Sequence, residues 1–445
     1  MRRFFLILYN LLLPLVLLVS FPGYFRRMRK RGGYRKNFGQ RFGYFSPELR
    51  RAFARGSGGW SWIRAVSVGE MVQALSLAEE LKRQDETFRA VISTTTSTGY
   101  ALGRQRSHPE WLQVIYSPVD LYPIVAQVWR LLQPREVILV DSDLWPSFLA
   151  CARAHGAPVH LANARLSPRS RKRYEAARWI AEPLLWGQLT KVYAQHPNEL
   201  GQWRAVGLDQ ARVIATGSLK YDADANPRVP DTEPFTFREW LRRHGCEPKT
   251  HRFLLGGSLH PGEEELLLKA FLQLRTRFPD LFLILVPRHV ERTPEIVELL
   301  KTCGIPWTLR SKPEFTPGTA ILVVDSTGEL RGWYQAADVV VIGKSFQGIG
   351  GQNPVEPIQA ARPVISGPHM ENFATLMKDL VAAGGIRQLT GAEALPAAVA
   401  DLLDHPDQAA ATVERAGSVL AFHRGATARI AESILALRGE NARGS

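Results

Sequence analysis

Cysteine is scarce in this 445-residue chain: Cys151, Cys246 and Cys303 stand far apart, with no CxxC pair and no His/Cys spacing that would seat zinc. A disulfide scaffold is excluded and a reducing compartment is expected. There is no Walker A sequence, no complete G-x-G-x-x-G after a strand pattern, no HExxH and no G-x-S-x-G. These absences argue against a bound nucleoside triphosphate, NAD, a zinc protease or a serine hydrolase. Internal repeats and low-complexity tracts are lacking too. Acidic residues are missing from the first 41 positions, which hold ten basic ones: Arg2, Arg3, Arg26, Arg27, Arg29, Lys30, Arg31, Arg35, Lys36 and Arg41. Those ten account for most of the net charge of +14 and leave +4 for the rest. A body so close to neutral, without interleaved basic and aromatic residues, argues against nucleic acid as a partner.

What is present is a chain with 45% hydrophobic and 22% charged residues, enough for two sizeable cores. Phe4 to Phe21 is an apolar run broken only by Asn10, Pro14 and Ser20. As a helix it reaches about 27 Å, close to one hydrocarbon thickness. No small-residue cleavage site follows; eight basic residues do, and the positive-inside rule places everything after residue 26 in the cytoplasm. A helix lying at the inner leaflet is the close alternative to a spanning one. The whole basic segment is expected to be an address outside the fold, so that a chain beginning near Gly43 folds.

From residue 60 short apolar runs alternate with helical patterns: Trp62 to Val66, Ala90 to Ser93, Gln113 to Tyr116, Val137 to Val140, Val159 to Ala162, Val192 to Ala194 and Val213 to Ala215. A proline-containing stretch follows, and the rhythm restarts with Phe253 to Gly256, Leu281 to Val286, Ile321 to Val324, Val339 to Ile342 and Val364 to Ser366. Such alternation predicts parallel sheets. The expected fold is α/β, two doubly wound Rossmann-like domains facing a cleft. Boundaries are placed at 1–25 for the anchor, 26–225 for the first domain, 226–240 for a linker and 241–445 for the second domain. In such sheets ligands bind beyond the carboxyl ends of the strands, so the residues just after each run are the candidates.

The first run leads into Ser67-Val68-Gly69-Glu70, which puts Glu70 at a strand-to-helix turn, as a base or as a helix-start carboxylate that the dipole keeps ionised. Val140 is followed by Asp141-Ser142-Asp143, a triplet that holds a divalent metal in one class of sugar-nucleotide transferases; a helix N-cap is the simpler use. Thr216-Gly217-Ser218-Leu219-Lys220 offers Lys220 as a cation for developing negative charge. In the second half Ser258 and His260 lie in a glycine-rich turn ahead of Glu263-Glu264-Glu265, three glutamates read as helix-dipole and solubility residues. Pro287-Arg288-His289 presents Arg288 to a phosphate or to a surface salt bridge. Asp325 to Leu330 and Gly343 to Glu356 are further loops after strands. In the latter, Asn353 is placed as N-cap, Pro354 as N1 and Glu356 as N3, where N–H groups and the helix dipole suit a phosphate and Glu356 suits a ribose hydroxyl.

Taken in order, Ser67 to Glu70, Leu144-Trp145-Pro146, Asn163 to Ser167, Thr216 to Lys220, His260 with Gly262-Glu263-Glu264, Pro287 to His289, Gly328-Glu329-Leu330 and Asn353 to Glu356 resemble the 3-deoxy-D-manno-octulosonic acid (Kdo) transferases of lipopolysaccharide synthesis, over nearly the whole chain. The resemblance implies a GT-B glycosyltransferase that moves Kdo from CMP-Kdo to a lipid A precursor with inversion, at the cytoplasmic face of the inner membrane. It implies Glu70 as general base, and Asp141 and Lys220 as stabilisers of the transition state. It implies Ser258, His260, Pro287, Arg288, Thr327, Gly328, Glu329, Asn353, Pro354, Val355 and Glu356 as the donor site, with no metal or other cofactor. The chain departs from the family pattern at Asp141-Ser142-Asp143 (Glu-Thr-Glu), Gly343-Lys344-Ser345-Phe346 (Gly-Gly-Ser-Leu) and Gln352 (His). The rivals are another GT-B transferase or an epimerase using UDP-sugars, and a membrane-tethered binding module without turnover.

Overall fold

A computed structural model describes residues 1–31, 37–141, 143–166, 168–222, 236–247 and 250–443. Arg35, Lys36, Ser142, Ser167 and much of the expected linker lie outside the described residues. The chain divides into two compact units, residues 1–226 with 423–445, and residues 227–422.

In the first unit α1 (Arg2–Arg31) and α2 (Pro47–Arg55) precede the alternation β1 (Trp60–Arg64), α3 (Val68–Gln84), β2 (Arg89–Thr94), α4 (Ser97–Gln105), β3 (Leu112–Tyr116), α5 (Tyr122–Leu132), β4 (Glu136–Val140), α6 (Pro146–Ala154), β5 (Val159–Ala164), α7 (Pro168–Ala176), α8 (Arg178–Leu184), β6 (Lys191–Ala194), α9 (Leu200–Ala205) and β7 (Val213–Ala215). The sheet order is β3-β2-β1-β4-β5-β6-β7, and every neighbouring pair runs parallel. Adjacent residues of β1 serve opposite faces: Trp62 packs with Trp129 and Phe148, Ile63 with Leu75 and Leu81. Burial on both faces is why these strands read as continuous apolar runs without alternation.

The second unit follows as α10 (Phe237–Arg243), β8 (Arg252–Leu259), α11 (Glu263–Arg275), β9 (Leu281–Pro287), α12 (Thr293–Lys301), β10 (Trp307–Leu309), β11 (Ile321–Val323), α13 (Leu330–Ala336), β12 (Val339–Ile342), α14 (Val355–Gln359), β13 (Val364–Ser366), α15 (Ala374–Ala382), β14 (Arg387–Gln388), α16 (Leu395–Asp404) and α17 (Pro406–Ala421). Its parallel sheet has the order β10-β11-β9-β8-β12-β13-β14. The two strands that the apolar pattern misses, β10 and β14, are the two edges. They have three and two residues, too few to show a period.

The last helix, α18 (Ala426–Arg443), corrects the expectation that everything after residue 241 forms one domain, because it belongs to the first unit. Its Ile430, Ala431 and Ile434 are fully buried in the core beside α3. Arg438 Nε donates to Glu136 at 2.9 Å and Nη2 to Ser61 Oγ at 3.1 Å. At its start the buried Asp222 carboxylate accepts from Gly425 N at 2.9 Å and Thr427 N at 2.7 Å.

The N-terminal expectation is corrected as well. Gln40 and Arg41 are buried: Gln40 Oε1 accepts from Tyr116 N at 2.9 Å, and Arg41 donates to Thr95 O at 2.7 Å with its guanidinium 4.4 Å from the Tyr116 ring centroid. Arg41 is core structure. A chain beginning at Gly43 loses part of the fold.

Candidate active site

The direction of strand order in the first unit reverses between β1 and β4, the topological switch point at which open α/β sheets bind ligands. Glu70 follows β1 and Asp141 follows β4. Ser67 caps α3, its Oγ accepting from Glu70 N at 3.2 Å, while Glu70 Oε2 accepts from Val66 N at 2.7 Å and Oε1 from Ser67 Oγ at 3.0 Å. This is a variant of the capping box, and it fixes the rotamer of Glu70. The dipole was expected to hold Glu70 ionised at some cost in basicity; instead burial raises its pKa, against those two hydrogen bonds, and Asp141 and Asp143 push the same way. A more basic carboxylate suits proton abstraction.

Asp141 sits in the left-handed region, at φ 68°, and so does Asn163 at the end of β5, at φ 56°. Non-glycine residues in this conformation carry strain that the surroundings must hold. Asn163 is the hub that holds it. Its Nδ2 donates to Gln73 of α3 at 2.8 Å and approaches Asp141 Oδ1 at 3.4 Å, while its Oδ1 accepts from Ser218 Oγ and Leu219 N, both at 3.1 Å. The neighbourhoods of Glu70, Asp141 and Lys220 are thereby tied to one buried amide. Burial raises the pKa of Asp141, opposed by Arg165 and Lys220, and lowers that of Lys220, with Arg165 adding and Asp141 opposing.

The acidic triplet is split. Asp143 is buried, paired with Arg64 Nε at 2.8 Å and bonded to Trp145 Nε1, whereas Asp141 faces Asn163 and Gln195. The N-cap use of Asp141 is not met, since the α6 N–H groups of Ser147 and Phe148 are taken by Asp120 at 3.0 and 2.9 Å. No group of three metal-ligating side chains occurs among the described residues.

Three participants escape the sequence pattern. Gln195 N donates to Glu199 at 3.1 Å, and Gln195 Nε2 donates to Asn163 O at 2.9 Å. Burial pushes Glu199 up to about 7. His423, next to α18, has Nδ1 accepting from Ser218 N at 3.1 Å, and burial pushes it down to about 4, a neutral acceptor at neutral pH. None is near Lys220 in sequence, and only the return of the C-terminus brings His423 there.

In the second unit the switch falls between β8 and β12. The expected donor residues leave four neighbouring strands at one edge: Thr327 to Glu329 after β11, Pro287 and Arg288 at the end of β9, Ser258 and His260 at the end of β8, and Asn353 to Glu356 after β12. Gln352 Nε2 lies 3.0 Å from His260 Nε2. The Arg288 side chain is exposed and makes no ion pair among the described residues, so the salt-bridge use is not met. Asn353 Oδ1 accepts from Val355 N at 3.0 Å and its Nδ2 donates to Glu356 at 3.2 Å, but α14 begins at Val355 with Pro354 as its N-cap, so the expected positions of Asn353, Pro354 and Glu356 are each shifted by one residue. That helix has five residues, too short for a macrodipole to do much for an anion. Glu329 is held by Arg310 at 3.1 Å and Ser326 at 2.5 Å.

The reading of the glutamate triplet is corrected. Only Glu265 is a surface residue, paired with Lys269. Glu264 is buried against Arg292 at 2.6 Å. Glu263, 1% exposed, accepts from His260 N at 2.9 Å, Lys344 N at 2.6 Å, Ser345 N at 3.0 Å, Phe346 N at 3.1 Å and Gln347 N at 3.3 Å. This carboxylate shapes the loop. Gly343 is obligatory beside it, because a Cβ there would stand 2.1 Å from Ser258 O.

Two doubly wound α/β units, each with a parallel seven-stranded sheet and a switch point, are the architecture of the GT-B class. Residues 36–223 match the family model described as 3-deoxy-D-manno-octulosonic-acid transferase. The chain is 30% identical over 429 residues to the 3-deoxy-D-manno-octulosonic acid transferase of Bordetella pertussis, covering 92% of this chain and 94% of that one. It is 29% identical to the enzyme of that name from Haemophilus influenzae, covering 90% and 91%. The chain belongs to the Kdo transferase family. Among solved structures it is similar in fold to a glycosyltransferase from Rickettsia africae (TM-score 0.54, 14% identity, 87% of this chain and 99% of that one) and to UDP-GlcNAc 2-epimerase from Neisseria meningitidis bound to UDP-GlcNAc (0.58, 12%, 84% and 99%).

Proposed function

We propose that this transferase moves Kdo from CMP-Kdo to a lipid A precursor, with inversion, at the cytoplasmic face of the inner membrane. The observation that carries the reading is the desolvated, rotamer-fixed Glu70 at the switch point of the first unit, beside Asp141 and Lys220. The acceptor hydroxyl gives its proton to Glu70 as its oxygen attacks the anomeric carbon of Kdo. The bond from that carbon to the phosphate oxygen breaks, and CMP leaves with the electron pair. Lys220, with Asp141 setting its field, offsets charge developing in the transition state. Ser258, His260, Pro287, Arg288, Thr327, Gly328, Glu329 and Asn353 to Glu356 hold the donor, Arg288 on its phosphate. CMP-Kdo carries a single phosphate diester, so fixed cations and N–H groups suffice and no metal is required. The commitment of Asp143 to Arg64 and Trp145 supports that.

The N-terminal helix attaches the enzyme to the membrane, where its lipid acceptor resides. Purified full-length protein, CMP-Kdo and a tetraacylated lipid A precursor, with products resolved by mass, test the proposal. A product heavier by Kdo, formed in EDTA and inhibited by CMP but not UDP, is expected. Turnover with UDP-sugars alone, or activity lost in EDTA and restored by magnesium, would overturn it.

A further inference from the structure

The attachment has a geometry of its own. α1 carries apolar residues long enough to cross a bilayer, yet it is laid along the first unit across α8, α6 and α4. Arg2, Phe5, Leu6, Tyr9, Asn10 and Leu13 form a half-buried stripe with helical spacing. In the middle of the apolar run Asn10 is bonded to the body: its Oδ1 accepts from Tyr122 N at 2.7 Å and its Nδ2 donates to Ser147 Oγ at 3.0 Å. Tyr9 lies beside the buried Asp120. Were residues 9 and 10 at the centre of a bilayer, the starts of α5 and α6 would be drawn into hydrocarbon with them.

The opposite face is apolar and open: Phe4, Ile7, Leu11, Leu15, Leu18 and Val19 are exposed. Trp179 of α8, 61% exposed, extends it, edge-to-face with Phe5 at 5.2 Å. α7 packs against α8 and belongs to a segment, residues 165–182, whose sequence has six basic residues against Glu175 and Glu182, a net +4. An apolar stripe with an aromatic margin and a basic flank fits an anionic leaflet. Tyr122 and Ser147 begin the helices that follow β3 and β4, at the same end of the sheet as Glu70.

We propose that α1 lies in the interface plane of an anionic leaflet without crossing it, with Trp179 and the α7 basic cluster completing the docking surface, so that the sheet edge carrying Glu70 is held at headgroup level. The inference rests on the membrane-bound reading above, but its test does not depend on turnover. Arg3→Cys in full-length protein carrying Cys303→Ser is exposed, in inside-out and right-side-out inner-membrane vesicles, to a membrane-impermeant maleimide. Labelling from the cytoplasmic face is expected; labelling only from the opposite face would show that α1 crosses and overturn the proposal. Recovery as a soluble dimer, with a second copy covering the apolar face, would overturn membrane docking itself. The double variant Lys172→Glu/Arg173→Glu should partition at least tenfold less onto vesicles of phosphatidylethanolamine with one-third phosphatidylglycerol, and unchanged partition would remove α7 from the surface.

Discussion

The two switch points share a topology and hold opposite chemistry. In the first unit, side chains crowd carboxylates together: Glu70, Asp141 and Glu199 all have raised pKa values, with burial the leading cause. In the second, the buried carboxylate of Glu263 is used up on five backbone N–H groups, that of Glu264 on Arg292, and the Arg288 guanidinium is exposed. In the proposed reaction one edge takes a proton and the other holds an anion. The carboxyl end of a parallel sheet supplies a place; loop residues decide its charge.

That contrast breaks most sharply at Glu70. Glu70→Gln keeps an acceptor for Val66 N and removes the base, so turnover should fall by about 10² to 10⁴ with CMP affinity unchanged in titration calorimetry. Normal turnover with a lowered melting temperature would reduce Glu70 to a capping residue. Glu263→Ala strands several N–H groups, each worth about 1–3 kcal/mol when buried unpaired, and should cost about 2–4 kcal/mol in denaturant unfolding together with donor affinity. A loss of affinity without loss of stability would place Glu263 on the ligand instead. Arg288→Ala should weaken CMP by ten- to a hundredfold, as a charged hydrogen bond of about 1.5–3 kcal/mol implies, and leave the melting temperature alone.

The smallest expected effect sits at Glu199. Its folded pKa of about 7 lies above the ordinary 4.5, so the folded state binds its proton more tightly. Its contribution is therefore full below pH 4.5 and lost as pH rises through 7. Glu199→Gln should raise stability by about 1–3 kcal/mol at pH 8 and by little at pH 4.5; an equal effect at both would mean that Glu199 does not titrate in this window.

Much of this is legible in the sequence, since strands buried on both faces announce themselves as apolar runs and motif loops follow directly from them. Glu70, Asp141, Arg288 and Asn353 could be placed because chain neighbours position them. What could not be read is long-range. Glu263 looks like any first-turn glutamate until the Lys344 to Gln347 loop is folded over it, and Arg41 looks like one more charge in a basic tail until it stacks on Tyr116. α18 continues a helical rhythm whose partner, α3, lies some 350 residues earlier, and no local period encodes that choice.

If Glu70 is the base, its protonation must silence the chemical step. The single-turnover rate with CMP-Kdo and lipid acceptor, followed from pH 4 to 9, should fall on the acid side with an apparent pKa above the ordinary carboxylate value, because burial raises that of Glu70. In Glu70→Gln the slow residual rate should lose that limb. An acid limb that persists unchanged in Glu70→Gln would contradict the assignment and move the base to another group, Asp141 first.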